Sequence, residues 1–284
     1  MLIEARKQPA LERLYARYGR RLLRRAFARV RVGGAAWPGG DGPVIAYANH
    51  GAWWDPVLAV FLSHDVFRRD GYGLMDGTQL LRYPFFRRLG CFGVTGEGLA
   101  IDDARAVAEY ATRVLRGGAG RALWLFPQGV LLPARAPLRF RSGLARISRA
   151  VPEAPLVPVA VRYEFRDHAR PECVVRIGEA TPLDPIAARS SAPLTRRLER
   201  ELGDALAALD ADLDSGEDLG RLGYAPVLTG AMTVSRVYDR TVGRLVRRRA
   251  GMPGGPISRG ARKSARPARS VRPPHHPTHV AKPT

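Results

Sequence analysis

Two cysteines, Cys91 and Cys173, in 284 residues leave no material for a disulfide framework, and no cysteine–histidine grouping has zinc-ligand spacing. A reducing compartment is expected. No run approaches the ~18 apolar residues of a spanning helix, and the N-terminal Met1-Leu-Ile-Glu-Ala-Arg-Lys7 lacks the apolar core of a signal peptide, so any membrane contact is expected from one side only. Acidic residues are scarce: 26 Asp and Glu stand against 46 Lys and Arg, a formal charge of +20. That excess, nearly all of it arginine in a chain rich in Ala, Gly and Pro, reflects polyanionic neighbours or a coding bias in composition, and says nothing about the fold. A nucleic-acid binder is disfavoured, because the basic residues concentrate in a terminal helix and a tail, without an aromatic-interleaved strand face or a helix-turn-helix pattern.

What is present is enough apolar sequence, 45%, for one substantial core. Pro43-Val-Ile-Ala-Tyr-Ala48 is a short apolar run entered from a Gly/Pro/Asp turn, which predicts a buried strand. It stops at Asn49-His50, and Asp55-Pro56 follows as a helix start with Asp as N-cap. An imidazole and a carboxylate therefore meet across one strand-to-helix turn. Two readings stand at this point. Asp55 is a cap and His50 a turn residue, or the carboxylate orients the imidazole so that it can take a proton from an alcohol.

Further strands are predicted near 72–75, 90–95, 121–126, 156–165 and 173–177, and helices over 56–64, 79–89 (broken at Pro84), 102–116, 142–151, 192–213 and 229–249. This alternation predicts an α/β domain with a largely parallel sheet flanked by helices. Its ligands would collect beyond the carboxyl ends of strands, where His50 and Gln128 fall. Pro9 to Val32 reads as one amphipathic helix whose polar positions are mostly arginine, suited to lie in an anionic headgroup layer or to pack its stripe on the domain. The domain division that follows is a membrane-contact helix over 1–32, an α/β domain over 33–249 and a disordered basic tail over 250–284, poor in large apolar residues.

Four blocks occur in order: Asn49-His50-x-x-x-x-Asp55, Phe126-Pro127-Gln128-Gly129, Arg141-Ser-Gly143 opening a helix, and Val157-Pro-Val159 in a strand. Together they resemble the glycerolipid acyltransferase family typified by 1-acylglycerol-3-phosphate acyltransferases, over about residues 43–165. The resemblance implies transfer of a fatty acyl group from a coenzyme A or carrier-protein thioester to a lipid hydroxyl, with no cofactor. It implies His50 as general base, Asp55 as its orienting partner, and a peripheral location on the cytoplasmic face of a membrane. It also implies substrate contacts at Phe126, Pro127, Gln128 and Gly129. Gln128 stands where the family has Glu, Val130-Leu131 where it has Thr-Arg, and Gly90 to Gly96 offers no arginine. The arginines expected to grip an acceptor phosphate are thus missing, with Arg87, Arg88 and Arg141 as substitutes. Trp53 and Trp54 are expected either to line an acyl or acceptor channel or to join the core. The acceptor is a lysophospholipid or a non-phosphate lipid such as a glycosylated terpenoid; a catalytically silent lipid-binding relative is the third reading.

Overall fold

The structure, a computed structural model, describes residues 1–95, 101–183 and 190–231. The elements are β1 (Leu2–Ile3), α1 (Pro9–Ala26), β2 (Arg29–Gly34), β3 (Val44–Ala48), α2 (Asp55–Phe61) running into a π-helical turn at Leu62–Val66, β4 (Asp70–Leu74), α3 (Gly77–Arg82), α4 (Phe85–Arg88), β5 (Cys91–Val94), α5 (Ile101–Arg116), β6 (Arg121–Leu125), α6 (Gly143–Ala150), β7 (Leu156–Glu164), β8 (Glu172–Ile177), α7 (Ser191–Asp214) and β9 (Ala225–Thr229). One nine-stranded sheet runs β1-β5-β4-β6-β3-β7-β8-β2-β9. Neighbours from β5 to β7 are parallel, as are β8 and β2; β1–β5, β7–β8 and β2–β9 are antiparallel.

All five residues of β3 are buried, because this strand lies between β6 and β7 with helices on both faces. Its side chains alternate with period two. Val44, Ala46 and Ala48 pack with Leu23 of α1, Phe27 just after it, Leu58 and Phe61 of α2, and Val157, Val159 and Val161. Ile45 and Tyr47 face the other layer, with Leu144 and Ile147 of α6 and Leu198, Leu202 and Leu209 of α7. At about 25 cal/mol per Å² of apolar area, burial on both faces is what holds the turn after β3 in place.

The sheet departs from expectation at its ends. The first helix stops at Ala26, and Arg29–Gly34 pairs in parallel with Glu172–Ile177 and antiparallel with β9. Residues 1–32 are thus built into the sheet through β1 and β2, and Met1–Ala231 forms one compact unit. Thr229 closes β9 and does not open a helix. The helix expected through Arg249 and the tail from 250 lie outside the described residues.

Candidate active site

β7 runs on past the end of β3. Ala48 pairs with Val159, and beyond it the Asn49 side chain takes over the ladder, Nδ2 donating to the Val161 carbonyl (3.1 Å) and Oδ1 accepting from the Val161 N–H (2.9 Å). The backbone then turns outward, and His50 is held on every side. Its N–H donates to Gln128 Oε1 (3.0 Å), its carbonyl accepts from Leu132 N–H (3.0 Å), and its ring stacks on Phe126 at 4.6 Å between centroids. His50 Nδ1 lies 2.7 Å from Asp55 Oδ2.

Asp55 is buried and accepts four hydrogen bonds. Oδ2 receives Gly51 N–H and Ala52 N–H, both at 2.9 Å, besides the imidazole, and Oδ1 receives the Tyr163 hydroxyl at 2.6 Å. None comes from its own helix. Asp55 is the first residue of α2 and does not cap it; its carboxylate is turned back to close the His50 turn. A carboxylate that accepts from Nδ1–H fixes the tautomer with the lone pair on Nε2. Burial, then the neighbouring Cys173 and Asp55, push the Tyr163 phenol well above its usual range, so it stays a donor. The amides of His50, Gly51, Ala52, Gly129 and Leu132 are all engaged within these turns, which removes them from the donors able to hold an oxyanion.

A cavity of about 280 Å³ opens beside the turn, lined among others by His50, Gln128, Arg135, Arg162, Leu206 and Asp210. Arg162, on β7 and buried, makes a two-pronged ion pair with Asp210 of α7, Nε to Oδ1 at 2.7 Å and Nη2 to Oδ2 at 2.9 Å. The Arg162 hydrogen bonds hold the Asp210 carboxyl below the usual carboxylate range. Arg135 at the rim lies 3.9 Å from Glu164.

Of the residues singled out from sequence, the fold gathers His50, Asp55, Phe126, Pro127, Gln128 and Gly129 into one place. Gly129 has φ +72°, and a Cβ there would approach Arg141 Nε to 3.0 Å, so the turn requires glycine. Arg141 lies against the outer side of this turn, its N–H bonded to the Pro127 carbonyl. Arg87 and Arg88 are elsewhere: α4 immediately precedes β5 and so sits at the amino end of the parallel strands, opposite His50, with Arg87 Nε donating to the Glu4 carbonyl. Trp54 is partly buried and packs edge-on against Phe27 at 5.2 Å, at the edge of the core, and Trp53 is 68% exposed; neither lines the cavity. Sequence reasoning missed Asn49 as a ladder extension, Tyr163 and the Arg162–Asp210 pair. Val159, Val161 and Tyr163 share one face by period two, which is the signal that could have found the tyrosine.

α1 packs one face on the domain and leaves the other exposed. Ala16, Gly19 and Leu23 are buried, with a Cβ on Gly19 3.2 Å from Val57 of α2, whereas Leu14 and Tyr18 are exposed among Arg13, Arg17, Arg20, Arg21, Arg24 and Arg25. Tyr15 links Tyr18 (6.2 Å) to the exposed Phe85 of α4 (5.5 Å), extending an aromatic patch. Among the described residues no helix is long and apolar enough to cross a membrane.

A protein-family model described as Acyltransferase matches residues 21–162. Among solved structures, the 1-acyl-sn-glycerophosphate (LPA) acyltransferase PlsC from Thermotoga maritima has a similar fold, with a TM-score of 0.52 and 20% identity, over 70% of this chain and 80% of that one. No curated protein sequence matches.

Proposed function

The chain belongs to the acyltransferase family, and from that premise we propose that it moves a fatty acyl group from a coenzyme A or carrier-protein thioester to a hydroxyl of a lipid acceptor, in phospholipid or glycerolipid synthesis. The observation that carries this reading is the 2.7 Å contact between His50 Nδ1 and a buried Asp55 that three further donors hold in place. It leaves Nε2 as the basic nitrogen of a residue lining the cavity. The acceptor hydroxyl gives its proton to Nε2 as its oxygen attacks the thioester carbonyl; the tetrahedral intermediate collapses with loss of the thiolate, which takes the proton from the imidazolium. Asp55 stabilises that imidazolium, and Gln128 fixes its backbone. No enzyme nucleophile is needed, because the thioester is already activated and positioning supplies much of the barrier reduction.

The acceptor is membrane-borne on this reading, and α1 supplies the contact: Leu14 and Tyr18 enter the headgroup layer while the surrounding arginines pair with anionic lipids, each worth roughly 1 kcal/mol near the surface. The protein is then peripheral, on the cytoplasmic face. Thioester consumption by the full chain, measured with acyl coenzyme A and acyl carrier protein over a panel of lipid alcohols, tests the assignment. Transfer that is lost in His50→Ala is expected. No transfer to any acceptor, where an authentic acyltransferase works in parallel, would refute it.

A further inference from the structure

The acyl-transfer reading leaves open what the cavity beside His50 recognises. Its volume of about 280 Å³ is at the small end of clefts that hold small molecules, which run from roughly 300 Å³ upward, so it suits a headgroup and not a whole lipid. A phosphate monoester would need guanidinium groups with no carboxylate already on them. The cavity offers the reverse. Arg162 spends two N–H groups on Asp210, the one carboxylate in the lining, and Arg135 at the rim lies 3.9 Å from Glu164 outside it, so each of the two guanidinium groups already has a carboxylate beside it. Asp210 remains 24% exposed and lines the cavity. Each of its oxygens accepts only one bond from Arg162, and a carboxylate has about four acceptor positions. An ionised phosphate has no proton to give those oxygens and is repelled by their charge. A hydroxyl donates to them and accepts from the guanidinium beside them.

Resting on the acyl-transfer reading, we infer that the acceptor carries a neutral polyol or sugar headgroup, and that Asp210 and Arg162 together bind one of its hydroxyls while another is presented to His50. The pair discriminates against a phosphate next to the reacting hydroxyl. Arg141 is not among the residues lining the cavity.

The test uses the full chain in mixed micelles, one thioester donor, and three acceptors of equal chain length: a lysophosphatidate, a monoacylglycerol and a monoglycosylated lipid alcohol. Expected for the native protein is a kcat/KM for a neutral acceptor about tenfold or more above that for lysophosphatidate, the worth of one charge-assisted hydrogen bond. Asp210→Asn keeps the shape and should raise KM for the neutral acceptors with kcat little changed. Asp210→Ala frees Arg162 and should shift the preference toward the phosphate. Should that variant not fold, Arg162→Met with Asp210→Leu removes both charges together and should abolish the preference. A native tenfold preference for lysophosphatidate, or an acceptor ratio unmoved by these variants, overturns the inference. Thioester loss that does not depend on His50 would instead refute acyl transfer at this site, so the two failures are distinguishable.

Discussion

Replacing Asp55 by Asn tests the central geometry most sharply, because it removes a charge while keeping a shape. The carboxylate receives four donors. An Asn with its oxygen in the Oδ2 position still accepts from Gly51 and Ala52 and from the imidazole, and its NH₂ faces the Tyr163 hydroxyl, which can rotate and accept. Each bond to the ionised group is worth roughly 1.5–3 kcal/mol and each neutral replacement roughly 0.5–1.5, so the turn should persist with a stability loss of a few kcal/mol at most. Catalysis should suffer more. The imidazolium formed as the hydroxyl is deprotonated loses its counter-charge at 2.7 Å, and general-base assistance of about 10²–10⁴ is at stake, equal to roughly 3–5 kcal/mol of barrier. The assay is steady-state thioester consumption beside a thermal melt. A kcat within about fivefold of the native value, in a folded variant whose barrier ought to have risen by several kcal/mol, would refute the role given to Asp55 and return the carboxylate to a purely structural one.

Tyr163→Phe leaves Asp55 Oδ1 buried without its 2.6 Å donor; a loss of about 1–3 kcal/mol, a fall in Tm of several degrees at this chain length and a smaller drop in kcat than in Asp55→Asn are expected from melts and kinetics. Gln128→Ala removes the acceptor for the His50 N–H and should cost stability by a similar amount while lowering kcat; unchanged kinetics would show that the Phe126–Gly129 turn does not position the histidine. Leu14→Asp with Tyr18→Asp should release the protein from anionic vesicles in a sedimentation assay without loss of fold, since both side chains are exposed; undiminished binding would remove α1 as the contact. The depressed Asp210 carboxyl contributes stability above its unfolded pKa and loses it as pH falls through the lower folded value. Unfolding below about pH 4 should therefore be less steep for the paired variant Arg162→Met/Asp210→Leu than for the native chain.

The parallel core was legible because β3, β6 and β7 are short apolar runs bounded by turn residues, and a strand buried on both faces needs nothing else. His50 and Gln128 were legible for the same reason, as residues two and three past the ends of β3 and β6. Asp55-Pro56 misled in part: the same pair marks a capped helix or a carboxylate turned back on its own loop, and only the distances to Gly51 and Ala52 decide. β2 was hidden because Leu23, Phe27 and Val30 keep helical spacing. The competing period-two pattern Arg29-Val-Arg-Val32 puts Arg31 inside the protein, a placement that becomes tolerable only once Glu172 meets it at 3.0 Å. Arg162 and Asp210 come from a strand and a helix 48 residues apart, beyond any local pattern. The position of Arg87 and Arg88 was within reach of sequence reasoning: residues that precede a parallel strand lie at its amino end, away from the ligand side.

The placement of β2 also dictates an order of events as the chain is made. Arg29–Gly34 is synthesised early, yet its partners are β8, 143 residues further on at Glu172, and β9 later still. Contacts of such high sequence separation slow folding, and a strand lacking its neighbours exposes open edges to other chains. The sheet cannot be completed on that side until translation has passed Thr229. Throughout that interval α1 is already out of the ribosome with its arginines in place, so a nascent chain has a means of reaching an anionic surface before it has a finished fold. Truncations ending before Ala225 should accordingly aggregate or remain surface-bound, whereas those ending after Ala231 close the sheet.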